Sequence, residues 1–205
     1  MDTGVVLLAA GNASRFGSAK QVLSIDGLPM VRRAAVTALA AGLAPVVVVV
    51  GAHAQQVLES LSGLDIHLVH NPDWSGGMGG SLACGVRAAL KHSPSLRAVM
   101  VLLADQPAIQ AADLHTMLEQ QAHRPDRILA AYYDGHTGPP CIFPAGMIEE
   151  LGALSGSEGA RQVLKRHADA VDTCAMPSAA LDIDTPADHA VWLANHRTSE
   201  PGDGG

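Results

Sequence analysis

Five consecutive valines, Val46 to Val50, stand between Pro45 and Gly51 in the stretch APVVVVVG, and they restrict the fold more than any other feature. Valine is stiff at χ1 and suits extended backbone. Successive side chains of a strand point to opposite faces, so this strand has no polar face to turn toward water. It belongs in a sheet covered on both sides, the arrangement of parallel strands with helices on each face. GVVLLA (Gly4 to Ala9) and LRAVMVLLAD (Leu96 to Asp105) are further apolar runs of this kind. Aromatic residues make up 3% of a chain that is 48% hydrophobic, so the core is built from Val, Leu, Ala and Ile.

Helical patterns separate these runs. Pro29 opens a helix through MVRRAAVTALAAG that closes at Gly42, and His53 to Leu61 reads as another. Ile66 to Val69 is a strand, the glycine-dense NPDWSGGMGGS a loop, and Ser81 to Leu90 a helix. Asp113 to Gln121 reads as helix and Ile128 to Tyr132 as strand. The alternation predicts βαβ units with right-handed crossovers, hence an α/β fold of three layers (α/β/α) around a Rossmann-like, mostly parallel sheet. It falters at YYDGHTGPPCIFP, which reads as a small strand-containing insertion. Helices near Met147–Leu151 and Ala160–His167, a weak strand over Val171–Ala175 and a helix from Pro186 through Ala194 follow. Residues 1–197 are expected to form one domain, and the polar tail 198–205 to be disordered.

Thirteen basic residues against 20 acidic ones give a net charge of −7, which argues against a nucleic-acid surface. Cys84, Cys141 and Cys174 form no C-x-x-C pair and read as ordinary buried thiols. No apolar run approaches the roughly 20 residues that span a bilayer, and no charged segment precedes an apolar one at the N-terminus. The expectation is a cytoplasmic protein with no membrane contact.

In a parallel sheet, ligands bind beyond the carboxyl ends of the strands. The loop LLAAGNASRFGSAK (Leu7 to Lys20) lies there, and so do NPDWSGGMGGS and ADQP. The first loop is not a Walker A loop: five residues separate Gly11 from Gly17, and no Ser or Thr follows Lys20. It is not a Rossmann fingerprint either, because residue 13 is Ala. It retains an early glycine, at which backbone approaches a ligand closely, with Arg15 and Lys20 to neutralise a polyphosphate. A solvated surface loop is the alternative reading.

The order LAAG-x-x-x-R-F-G-x-x-K, from Leu8 to Lys20, resembles the signature of nucleotidyltransferases with a GT-A-like fold. NPDWSGGMGGSLACGV resembles a stretch of the molybdenum cofactor cytidylyltransferases, and LLADQP resembles their metal-binding motif. GPPCIFP, SEGARQVL and DIDTPAD follow in the family's order, so the likeness runs from about Val5 to His189. The resemblance implies transfer of CMP from CTP to the phosphate of molybdopterin or the molybdenum cofactor, with pyrophosphate leaving. GTP or another phosphorylated acceptor is one alternative; a non-catalytic accessory protein of a molybdoenzyme is another.

Such a reaction joins anions, so positioning and electrostatic stabilisation carry it, with magnesium as cofactor. The resemblance implies Arg15, Lys20 and Asp105 as catalytic groups and Asp105 and Asp184 as magnesium ligands. It implies that Leu8, Ala9, Ala10 and Gly11 wrap the nucleotide, with Arg15 and Lys20 on the triphosphate. Ser81 reaches the base or ribose, a plain helix N-cap being the alternative. Asp184 or Thr185 capping the last helix is likewise an alternative, and Asp188 reads as first-turn helix charge. Pro140, Arg161 and Asp182 are the candidate acceptor contacts, Arg161 as an exposed helix charge being the other reading. Trp74 reads as packing its loop, lining of the acceptor pocket being the alternative. His136 stands in His-Thr-Gly-Pro-Pro, where relatives carry His-Pro. The implied partners are small molecules (an NTP and the pterin cofactor) and a molybdoenzyme apoprotein.

Overall fold

The computed structural model describes residues 2–12 and 19–196; Arg15 and the 198–205 tail lie outside the described residues. The chain runs β1 (Thr3–Ala9), β2 (Ser24–Ile25), β3 (Leu28–Pro29), α1 (Met30–Ala40), β4 (Val46–Val50) and α2 (Ala54–Ser60). It continues through β5 (His67–His70), α3 (Met78–His92), β6 (Ala98–Leu103), α4 (Ala111–His123), β7 (Ile128–Tyr133) and β8 (His136–Pro144). The last elements are α5 (Ile148–Gly152), α6 (Ala160–Arg166), β9 (Val171–Ala175) and α7 (Pro186–His196).

Seven strands form one sheet in the order β5-β4-β1-β6-β8-β7-β9. Only β8 runs against its neighbours, antiparallel to both β6 and β7, and the other ladders are parallel. The valine run behaves as its pattern requires. Val46, Val48 and Val50 enter one core with Val5, Leu7 and Ala9, while Val47 and Val49 enter the other with Val6 and Leu8. Helix α3 lies so close to the second face that a Cβ on Gly85 would stand 2.4 Å from Val6 Cγ1 and 2.7 Å from Val49 Cγ2.

The α/β class and the mostly parallel sheet agree with the sequence pattern. The segment read as an insertion does not stand apart, because β8 sits inside the main sheet between β6 and β7. Its adjacent prolines, Pro139 and Pro140, are the reason that it looked unlike a central strand. The β7–β8 register jumps from Ala130↔Cys141 to Ala131↔Gly138, so Pro139 and Pro140 occupy a bulge outside the ladder. Asp134 (φ 46°) and Gly135 (φ 77°) close the hairpin as a two-residue turn. A second Asp-Gly turn, Asp26 (φ 50°) and Gly27 (φ 82°), joins the small β2–β3 hairpin.

Among the described residues no helix is long and apolar enough to cross a membrane. Because β1, β4, β5, β6, β7 and β9 share one direction, the segments that follow them all reach the same edge of the sheet.

Candidate active site

A cleft of about 350 Å³ opens at that edge. Leu8, Ala9, Ala10, Gly11, Lys20, Ser81 and Asp105 line it, so every described residue expected to hold the nucleotide faces one space. The strand exit is pinned by its carbonyls. Leu8 O accepts from Ala104 N (3.2 Å), Ala10 O from Ala52 N (3.2 Å) and Gly11 O from Gln21 Nε2 (2.6 Å). Trp74 both lines the cleft and packs: a Cβ on Gly51 would fall 2.7 Å from its Cβ.

Ser81 is not an N-cap. Helix α3 begins at Met78 with Gly77 as its cap residue, which places Ser81 inside the helix. Its buried hydroxyl accepts a hydrogen bond from Asn71 Nδ2 at 2.9 Å, so its own hydrogen is left to donate. Asn71 is fixed in turn by Asp73 N–H on its Oδ1 (3.1 Å).

Lys20 stands between two carboxylates, with Nζ 2.8 Å from Asp105 Oδ2 and 2.7 Å from Asp184 Oδ1. Burial pulls the ammonium down, but the Asp105 charge and hydrogen bond, joined by Asp184, outweigh it and leave the group above its ordinary value. Asp184 therefore does not cap α7. That role belongs to Thr185, whose Oγ1 accepts from Asp188 N (3.3 Å) while Asp188 Oδ2 accepts from Thr185 N (2.7 Å), a reciprocal capping box.

Among the described residues no three His, Cys, Asp or Glu side chains converge into a metal cage. Magnesium needs only one or two protein carboxylates and keeps waters for the remainder. Among the described residues Asp105 Oδ1 is buried with no hydrogen-bond partner, while Oδ2 faces the Lys20 cation that Asp184 shares. Two hard carboxylate donors gathered about one positive charge fit such an ion.

Arg161 and Asp182 come together beside this group, and Pro140 does not line the cleft, being buried in the β8 bulge. Arg161 is not a free helix charge: its guanidinium donates to Tyr133 Oη at 3.2 Å and lies near His136 Nε2 at 3.5 Å. Burial, then the like charges of Asp105 and Asp184, push the Asp182 carboxyl up to about 6, against the pull of Arg161 and Lys20.

Gln106 was not singled out from sequence. Only 3% exposed, it donates from Nε2 to Pro139 O (3.1 Å) and Ala179 O (2.8 Å), bolting the turn after β6 to the β8 bulge and to the segment after β9. The signal was a polar residue just past an apolar strand. Gln21 and Asn71 carried a weaker signal, since a lone amide in a loop reads as solvated. Glycines couple the two sides of the site. Cβ atoms on Gly77 and Gly79 would meet Gly156 O at 2.2 Å and Ser155 O at 2.5 Å, so the SGSEG loop rests directly on the start of α3.

The MobA-like NTP transferase domain matches residues 5–171. The nicotine blue oxidoreductase of Paenarthrobacter nicotinovorans is 36% identical over 191 residues, covering 88% of this chain and 91% of that protein. The purine catabolism protein PucB of Bacillus subtilis (strain 168) is 31% identical over 199 residues, covering 90% and 92%. The structure of Rv0371c from Mycobacterium tuberculosis H37Rv superimposes with a TM-score of 0.77 at 26% identity, covering 94% of this chain and 97% of that one. The same protein solved in complex with manganese gives a TM-score of 0.73 at 24% identity, covering 95% and 99%.

Proposed function

Because this chain belongs to the MobA-like NTP transferase family, we propose that it transfers CMP from CTP to the phosphate of a molybdopterin-type cofactor. The observation that carries the reading is the Asp105–Lys20–Asp184 group beside the cleft built from β1 and α3. In the reaction an acceptor phosphate oxygen attacks the α-phosphorus of CTP. A new P–O bond forms as the bond to the β-phosphate oxygen breaks, and pyrophosphate leaves.

Asp105 and Asp184 would hold a magnesium ion, which when bound would supply positive charge that offsets the phosphate charge. Lys20 neutralises the triphosphate as a point charge, and Arg15 adds a forked contact. Ser81 donates its hydroxyl hydrogen to an oxygen of the base or ribose. The Leu8-Ala9-Ala10-Gly11 floor, in the form that resembles cytidylyltransferases, supports CTP over GTP. Arg161, held by Tyr133, meets an anionic group of the acceptor, with Asp182 beside it and Pro140 supporting the bulge behind. A molybdoenzyme apoprotein would receive the product. That the mycobacterial protein was also solved in complex with manganese supports a divalent ion as cofactor here.

The test is pyrophosphate release by the purified protein with Mg²⁺, each of the four NTPs, and molybdopterin with or without molybdenum. Release from CTP alone is expected. Release from GTP but not CTP overturns the choice of base. Failure with every NTP and both pterin forms overturns the reaction, and the oxidoreductase name of one relative then becomes the better guide.

A further inference from the structure

The three charged groups of the site come from segments far apart in sequence. Lys20 precedes the β2–β3 hairpin, Asp105 follows β6 and Asp184 precedes α7. At the site they meet through the Lys20 ion pairs and one backbone hydrogen bond, Ile183 N to Asp105 O at 3.0 Å. The same three segments meet a second time around one side chain of α1.

Arg33 donates from Nε to Pro107 O at 2.7 Å, two residues past Asp105, and from NH1 to Asp26 Oδ2 at 3.0 Å in the hairpin turn. Its guanidinium carbon lies 5.8 Å from the centre of the Trp192 ring on α7, within cation–π range. Trp192 Nε1 completes the arrangement by donating to the other oxygen of Asp26 at 3.2 Å. Ile25, Met30, Ile183 and Trp192 pack together in a small apolar cluster distinct from the two main cores. His189 adds a contact from α7 to Ser24 O at 3.1 Å.

We propose that Arg33, Asp26 and Trp192 form a positioning clamp that sets the spacing of Asp105 and Asp184, and with it the affinity of the site for a divalent cation. The inference rests on reading those carboxylates as metal ligands. The clamp residues act through the segments that they hold and touch no reacting atom. A planar guanidinium suits this task, because one fork reaches a carbonyl and a carboxylate while its face meets an indole. The left-handed φ of 50° at Asp26 fixes its carboxylate between the two partners and is a conformation that aspartate tolerates.

The experiment measures binding of Mn²⁺ by calorimetry, with a thermal melt of each protein. Wild type is compared with Arg33→Ala, Arg33→Lys, Trp192→Phe and the control Asp105→Asn. Phenylalanine fills most of the indole space but removes its N–H, and lysine keeps the charge but loses the fork. Arg33→Ala and Trp192→Phe are expected to weaken Mn²⁺ binding about tenfold, as for outer-shell supports of metal sites generally. Arg33→Lys should fall between them and wild type. Should Trp192→Phe fail to fold, Asp26→Asn, at a turn exposed to solvent, replaces it in the same comparison. Mn²⁺ binding that Asp105→Asn abolishes but the clamp variants retain at full strength overturns the clamp alone. Mn²⁺ binding that survives in Asp105→Asn overturns the metal reading beneath it.

Discussion

Lys20 keeps its proton in a half-buried position because two carboxylates lie within hydrogen-bond distance of its ammonium. Removing either acid changes the local charge without opening the core. Asp105→Ala is therefore expected to lower pyrophosphate release well over about 100-fold, since a direct ligand matters more than its supports. Its melting temperature should stay near that of wild type, and activity that persists would remove Asp105 from the metal site. The cysteines give a second prediction at this scale. Burial pushes the Cys141 thiol far up, and it raises Cys174 as well, whereas Cys84 is only partly buried. A thiol reagent at neutral pH should modify one cysteine of the native protein, and Cys84→Ser should abolish that reaction. At this scale the sequence motifs marked Lys20, Asp105 and Asp184, whereas Asn71 and Gln106 stood inside quoted motifs with no role assigned and Gln21 stood just outside one. Those amides matter through carbonyls and a hydroxyl brought to them by the fold.

The elements show where local signals suffice and where they do not. Thr185 and Asp188 are three residues apart and satisfy one another's backbone at the start of α7, a relation visible in T-P-A-D itself. Thr185→Ala should cost about 1 kcal/mol of stability, read from a denaturant titration. It should also reduce activity, because Asp184 immediately precedes the cap. A change in stability with activity untouched would separate the helix start from the site. Helix α3 began three residues earlier than its pattern suggested, because Met78, Gly79 and Gly80 are helical only with the SGSEG loop laid against them. Strand β8 was legible as extended chain but not as a central strand, because its prolines need a bulge that β7 provides.

Across the whole molecule, two cores flank the sheet, and α3 presses on one of them through Gly85. Gly85→Ala tests that contact. Alanine favours helix by about 1 kcal/mol, but overpacking against Val6 and Val49 costs about 1–3 kcal/mol. The net expectation is a lower unfolding midpoint; an unchanged or higher one would mean that α3 can slide off the sheet at little cost. The βαβ alternation, the double-faced burial of the valine run, the edge at which loops gather and the family motifs were all set by the order of residues along the chain. They follow from local propensity and from side-chain periodicity, which need no knowledge of distant partners. The placement of β8 within the sheet, the meeting of Asp105 with Asp184 across Lys20, and the grip of Arg33 on Asp26 and Trp192 belong to the tertiary structure. Each brings in at least one partner dozens of positions away, such as Trp192 on Asp26 or Asp184 on Lys20, and the packing of helices onto the sheet is what brings these groups within hydrogen-bond range.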